Sequence, residues 1–163
     1  WETNADNSIM SYIETPLADM TIKNSETGEY QWIFVAAEDI KDVTKDNQAD
    51  LTKFGCEQTE AEAGFVYEIK LRPEMKWQDG TPINADTWMY TFKALLNPQT
   101  AFRMATFLYD NSITIFNGED YFLQGTEGYP AEVKWEDVGI KKIDDYTIQI
   151  TTTDTGYTPT DIK

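Results

Sequence analysis

The stretch Tyr67–Pro98, YEIKLRPEMKWQDGTPINADTWMYTFKALLNP, decides the fold. It continues an alternation that starts at Phe65: Phe65, Tyr67, Ile69 and Leu71 fall on one side of an extended chain and Val66, Glu68 and Lys70 on the other. That period of two is the pattern of a strand with one apolar face. Gly64 opens the strand and Pro73 stops it. Asp79-Gly80 supplies the positive backbone dihedral of a tight turn, and Trp77 beside it is expected to be buried against the underside of the helix that follows. Asn84-Ala85-Asp86-Thr87 then offers an N-cap with an acid in the positive first turn. Ala85, Trp88 or Met89, Phe92, Leu95 and Leu96 recur at helical spacing up to Asn97-Pro98, so about three turns present one apolar stripe, with Asp86, Thr91 and Lys93 solvated.

Working outward, Val138, Ile140 and Ile143, then Asp144-Asp145, then Tyr146, Ile148 and Ile150 form two short strands around an acidic turn, expected to join the Phe65–Leu71 strand in one sheet. Upstream, Ile9, Tyr12 and Ile13 share a helical face that Pro16 ends. Leu17 to Ile22 looks extended, the polar run Lys23–Glu29 reads as a loop between strands, and Tyr30 to Ala37 is apolar enough to be buried. A strand or turn and a short helix over Asn47 to Phe54, closed by Gly55, follow. Thr100 to Phe116 is rich in aromatic and long apolar side chains without clean periodicity and is expected to be helical only in its first part; Gly118 to Gln124 is a short helix.

Composition removes whole classes of function. Thirteen Lys plus Arg against 29 Asp plus Glu give a net charge of −16, with the basic residues scattered, so a nucleic-acid surface is repelled. There is no His, which takes away the commonest general base, the Ser-His-Asp arrangement and the usual zinc ligand. The single Cys56 allows no intramolecular disulfide and no multi-cysteine metal site. Adjacent acids such as Asp144-Asp145, Glu119-Asp120, Glu136-Asp137 and Glu38-Asp39 are solvated neighbours: on a strand they point to opposite faces, and 29 acids make such pairs common. No calcium-loop register of alternating Asp or Asn with a distal Glu occurs. The 40% hydrophobic and 13% aromatic content offsets the entropy of ordering the chain, so the sequence is globular. No apolar run is long enough to span a membrane, and the start at Trp1-Glu2-Thr3, without a basic n-region and apolar h-region, reads as either a chain never secreted or an excised piece.

The order of Leu71-Arg72-Pro73, Trp77, Asp79-Gly80-Thr81-Pro82, Ala85-Asp86 and Asn97-Pro98 resembles the signature of the family 5 solute-binding proteins, the peptide-binding receptors of bacterial ABC importers. VGIKKIDDYTIQIT at Val138–Thr151 is similar to a second signature of that family, and IETPLADM with WIFVAAEDIKDVT, at Ile13–Met20 and Trp32–Thr44, to its opening passage. The resemblance implies an α+β fold, a mostly antiparallel sheet with flanking helices, forming part of the first lobe of a two-lobed clamshell whose second lobe is absent from residues 1–163. It further implies no catalysis, no cofactor and no metal. The function it implies is capture of a peptide ligand between the lobes for an ABC permease, outside the cytoplasmic membrane, periplasmic or lipid-anchored. Candidate cleft residues carried over by the likeness are Glu14 and Thr15 in the opening passage and Phe102, Arg103, Met104 and Tyr109 after the Asn-Pro stop, with Met104 at the position of a cleft aromatic. The competing reading is a stand-alone acidic interaction domain with no transport role.

Overall fold

The computed structural model of the chain describes residues 15–54, 61–110 and 113–153. Among the described residues, six strands and three α-helices follow in order: β1 (Ala18–Asn24), β2 (Glu29–Phe34), β3 (Ala37–Asp42), α1 (Gln48–Lys53), β4 (Val66–Leu71), α2 (Ala85–Leu95), α3 (Gly118–Leu123), β5 (Ile140–Asp144) and β6 (Thr147–Thr151). They make two sheets, a β1-β2 hairpin and a four-stranded sheet of order β3-β4-β6-β5, with every pairing antiparallel. This is the α+β architecture expected, with the 138–151 hairpin paired to β4 through β6. The helix expected over residues 9–13 lies outside the described residues.

One face of the larger sheet and the stripe of α2 make the main core. Ile69 and Leu71 of β4 and Ile148 and Ile150 of β6 pack with Ala85, Phe92 and Leu96 of the helix segment, all buried. Asn84 caps the helix by accepting the amide of Thr87, whose hydroxyl in turn accepts the Asn84 amide. The helix start is fixed to the β5-β6 turn: Ala85 N donates to Asp145 O at 2.9 Å, and Lys142 bridges Asp86 and Asp145, each at 2.8 Å. Val66 points the other way, to a smaller cluster with Leu51 and Phe65. Both faces of β4 are therefore partly covered, which the one-sided alternation does not reveal.

Thr44 is the polar hub of that second cluster. Its fully buried hydroxyl accepts the amides of Phe65 (3.0 Å) and Val66 (2.9 Å) and donates to Asp42 Oδ1 at 2.6 Å. Two buried backbone donors at the entrance to β4 thus find an acceptor before the strand ladder begins. Gly139 is required for a different reason. Its amide donates to Phe116 O and its carbonyl accepts from Thr151 N, and an added Cβ would meet Thr151 O and, at 3.0 Å, Phe116 Cβ.

Two expectations are corrected. Trp77 is 55% exposed, not buried under α2. The turn around it closes on its own backbone, with Trp77 N donating to Thr81 O (2.8 Å), Gly80 N to Trp77 O (2.9 Å) and Thr81 N to Asp79 Oδ1 (2.9 Å), so it stands off the helix without needing the indole as a wedge. The run Tyr30 to Ala37 is buried only at Ala36 and Ala37; every residue of β2 is exposed, because the hairpin forms a sheet of its own.

Candidate functional site

The segment after the Asn97-Pro98 stop is shaped by local chemistry before tertiary packing acts on it. Asn97 Oδ1 accepts the amide of Gln99 at 2.9 Å and Pro98 opens a single 3-10 turn to Thr100. Ala101 then reverses the chain in the left-handed region, φ 45°, an uncommon conformation for a residue with a Cβ. Phe102 is extended, and a 3-10 helix runs over Arg103–Leu108. Within it Ala105 and, just after it, Tyr109 point into the core, while Phe102 (39% exposed), Met104 (45%) and Phe107 (46%) point to solvent with Arg103. The ragged apolar period of the sequence is thus the sum of a narrow buried side and a wide apolar outer side. Ile113, whose amide donates to Phe107 O at 3.2 Å, adds to the exposed side.

Of the carried-over residues, the structure brings Phe102, Arg103 and Met104 together on one exposed edge. Thr15 is exposed at the start of the described chain, and Glu14 lies outside the described residues. Tyr109 is not on that edge: its ring is buried against Phe122, 5.7 Å between centroids, and it anchors the segment to α3 instead of facing solvent. Burial, helped by Glu119 and Asp110, holds its hydroxyl above the ordinary tyrosine range. Beside it Tyr129 donates to Glu119 Oε1 at 2.8 Å, and that hydrogen bond raises the Tyr129 hydroxyl as well. Both phenols stay neutral, and the Tyr109 ring ties the segment to α3.

A shallow groove of about 560 Å³ lies on another side, lined by residues that include Lys53, Phe54, Phe116, Asn117 and Asp137. It is a seam between α1 and the loops leading to β5. Phe54 and Phe116 rings lie 5.1 Å apart, Lys53 Nζ donates to Glu136 O (3.3 Å), and Asn117 Nδ2 donates to Asp137 O (2.9 Å). Lys53 and Asn117 are thus both engaged by backbone carbonyls of the turn before β5. Among the described residues no group of three or more acids or cysteines is placed to hold a metal ion. Asp79 and Asp144 have lowered carboxyl pKa values, first because each accepts a backbone amide, of Thr81 and Tyr146 respectively; this is turn chemistry on exposed loops, not a poised acid-base pair.

Comparison with known proteins places this geometry. The family described as bacterial extracellular solute-binding proteins, family 5 (middle), matches residues 55–161. The chain belongs to that family. The periplasmic oligopeptide-binding protein OppA of Escherichia coli K12 is 34% identical over 86 residues, 53% of this chain and 14% of that protein. The structure of Listeria monocytogenes OppA bound to peptide overlays 88% of this chain and 22% of its own, with a TM-score of 0.56 at 25% identity. A Borrelia burgdorferi oligopeptide-binding protein overlays 93% of this chain and 24% of its own, with a TM-score of 0.65; at 20% identity it speaks for the fold alone. The family 5 chain of residues 1–163 therefore spans well under a third of each of these relatives. Sequence reading did not single out Phe107 and Ile113 as exposed beside buried Ala105 and Tyr109, a division that the apolar pattern of the segment does not show.

Proposed function

We propose that residues 1–163 are part of the first lobe of an extracytoplasmic receptor that captures peptides and delivers them to the permease of an ABC importer. Membership of the solute-binding family carries this reading, and the exposed Phe102–Met104 edge on its buried Tyr109 base supports it locally. An open receptor closes around an extended peptide, and the closed form is what the permease receives. In this reading Glu14, Thr15, Phe102, Arg103 and Met104 lie on the ligand side of the lobe, with Phe102 and Met104 offering adaptable apolar contact and Arg103 a donor fork for peptide carbonyls or carboxylates. The receptor carries out no bond-breaking step. It works outside the cytoplasmic membrane, free in a periplasm or held by a lipid anchor. Calorimetric titration of the complete protein with a defined peptide mixture tests the function: saturable binding of peptides and none of sugars or metal chelates is expected, and binding of the latter without peptides would overturn it.

A further inference from the structure

The β1-β2 hairpin carries an apolar face that has no role in the reading above. Ala18 lies opposite Phe34, Met20 opposite Trp32 and Ile22 opposite Tyr30. Directly opposed residues project to the same side, so these six line one face, while Asp19, Thr21, Gln31 and a single large apolar residue, Ile33, lie on the other. The apolar face is open: Met20 is 53% exposed, Ile22 54%, Tyr30 58%, and Trp32 and Phe34 38% each. The hairpin is not free to swing. Val35 N and Ala37 N both donate to Leu17 O at 3.0 Å, Leu17 packs on the main core, and Arg72 Nε donates to Val35 O at 2.8 Å. A rigidly presented apolar sheet face is built to be covered.

We infer that this face is an internal seam of the complete receptor, covered by the part of the polypeptide outside residues 1–163. The inference rests on the proposed function only in taking the complete protein to be longer than this chain. Length favours that occupant: the Listeria and Borrelia structures overlay 88% and 93% of this chain with only 22% and 24% of their own, so the matched region sits among several times its mass of further protein. A second copy is a poor alternative. Five residues of two paired strands give a face of about 17 Å by 10 Å, on the order of 200–300 Å² with its side chains, against about 800 Å² per partner in a stable complex. Two copies would also bring together chains of net charge −16 each. A tethered segment loses no translational freedom on docking, so a small face suffices for it.

Methionine oxidation of the complete protein tests this, read by mass spectrometry against the same protein unfolded in urea. Met20 should oxidise at least tenfold more slowly in the folded protein, at every protein concentration and whether or not peptide is present. Met104 reports separately on the proposed function, slowing only when a peptide mixture is added. Oxidation of Met20 at the unfolded rate would overturn the inference. Protection that appears only at high protein concentration would assign the face to a second copy, and protection that appears only with peptide would assign it to ligand; either outcome also overturns it. As a second readout, Ile22→Asp should lower the melting temperature of the complete protein by several degrees, and an unchanged melting temperature would count against the seam.

Discussion

The two sheets of this chain are written in the same alternating pattern and end in opposite circumstances. In the four-stranded sheet, Ile69, Leu71, Ile148 and Ile150 are buried in the core that includes α2; in the β1-β2 hairpin, Met20, Ile22, Tyr30 and Trp32 stay exposed among the described residues. Alternation tells which side of a strand is apolar. Whether that side is buried depends on what the rest of the chain brings to it, and the Ala85–Leu95 helix packs on the four-stranded sheet.

The largest expected effect sharpens this contrast. Leu71→Ala should cost about 2–5 kcal/mol, the usual range for a large buried aliphatic, measured by urea titration. The corresponding truncation Ile22→Ala in a polypeptide of residues 1–163 should cost less than about 0.5 kcal/mol, as exposed substitutions do. Equal costs would mean that the hairpin face is already packed. Next is Thr44→Ala, which leaves two buried amides without their acceptor and the exposed Asp42 without its hydroxyl donor and should cost about 2–3 kcal/mol. Thr44→Ser, which keeps the hydroxyl, should recover most of that loss. Gly139→Ala should cost about 1–3 kcal/mol through the contact its Cβ makes with Thr151 O and Phe116. Trp77→Ala stands with Ile22→Ala at the small end, about 0.5 kcal/mol or less, and a loss above about 2 kcal/mol would return Trp77 to the core.

Stability should also depend on pH at both ends of the range. The Tyr67 hydroxyl is raised by burial and then by Asp42, so its contribution is present below the ordinary tyrosine value of 10.0 and is lost as pH rises beyond it. Asp79 and Asp144 are lowered, so theirs is present above 3.8 and is lost as pH falls below it. Thermal melts from pH 3 to pH 11 should show both shoulders, and Tyr67→Phe should shrink the alkaline one, to which the raised Tyr109, Tyr121 and Tyr129 hydroxyls also contribute.

Much of the architecture was legible because its signals are local. The Asn84 cap, the Ala85–Leu96 stripe, the Asp144-Asp145 hairpin and the period of two in β4 each follow from neighbouring residues. What escaped depends on partners distant in sequence. Trp77 looked like a wedge because a large aromatic beside a tight turn usually covers something, yet that turn satisfies its own backbone and leaves the indole outside. Tyr30–Phe34 looked like a core strand, because apolar composition carries no record of which layer will meet it. At the candidate site, family likeness picked out Phe102, Arg103, Met104 and Tyr109 together, but periodicity could not separate buried Tyr109 from exposed Met104, since the 3-10 helix ends at Leu108 and Tyr109 leaves it in a non-helical conformation.

The account assigns two exposed apolar surfaces to two different tasks, ligand contact at Met104 and internal cover at Met20. The most direct test is peptide affinity in the complete protein, measured by calorimetry for Met104→Lys and for Met20→Lys beside the parent. Met104→Lys should weaken peptide binding by at least tenfold with little change in melting temperature, and Met20→Lys should lower the melting temperature and leave the affinity of the folded protein unchanged. The reverse pattern, with affinity lost at Met20 and kept at Met104, would contradict the assignment.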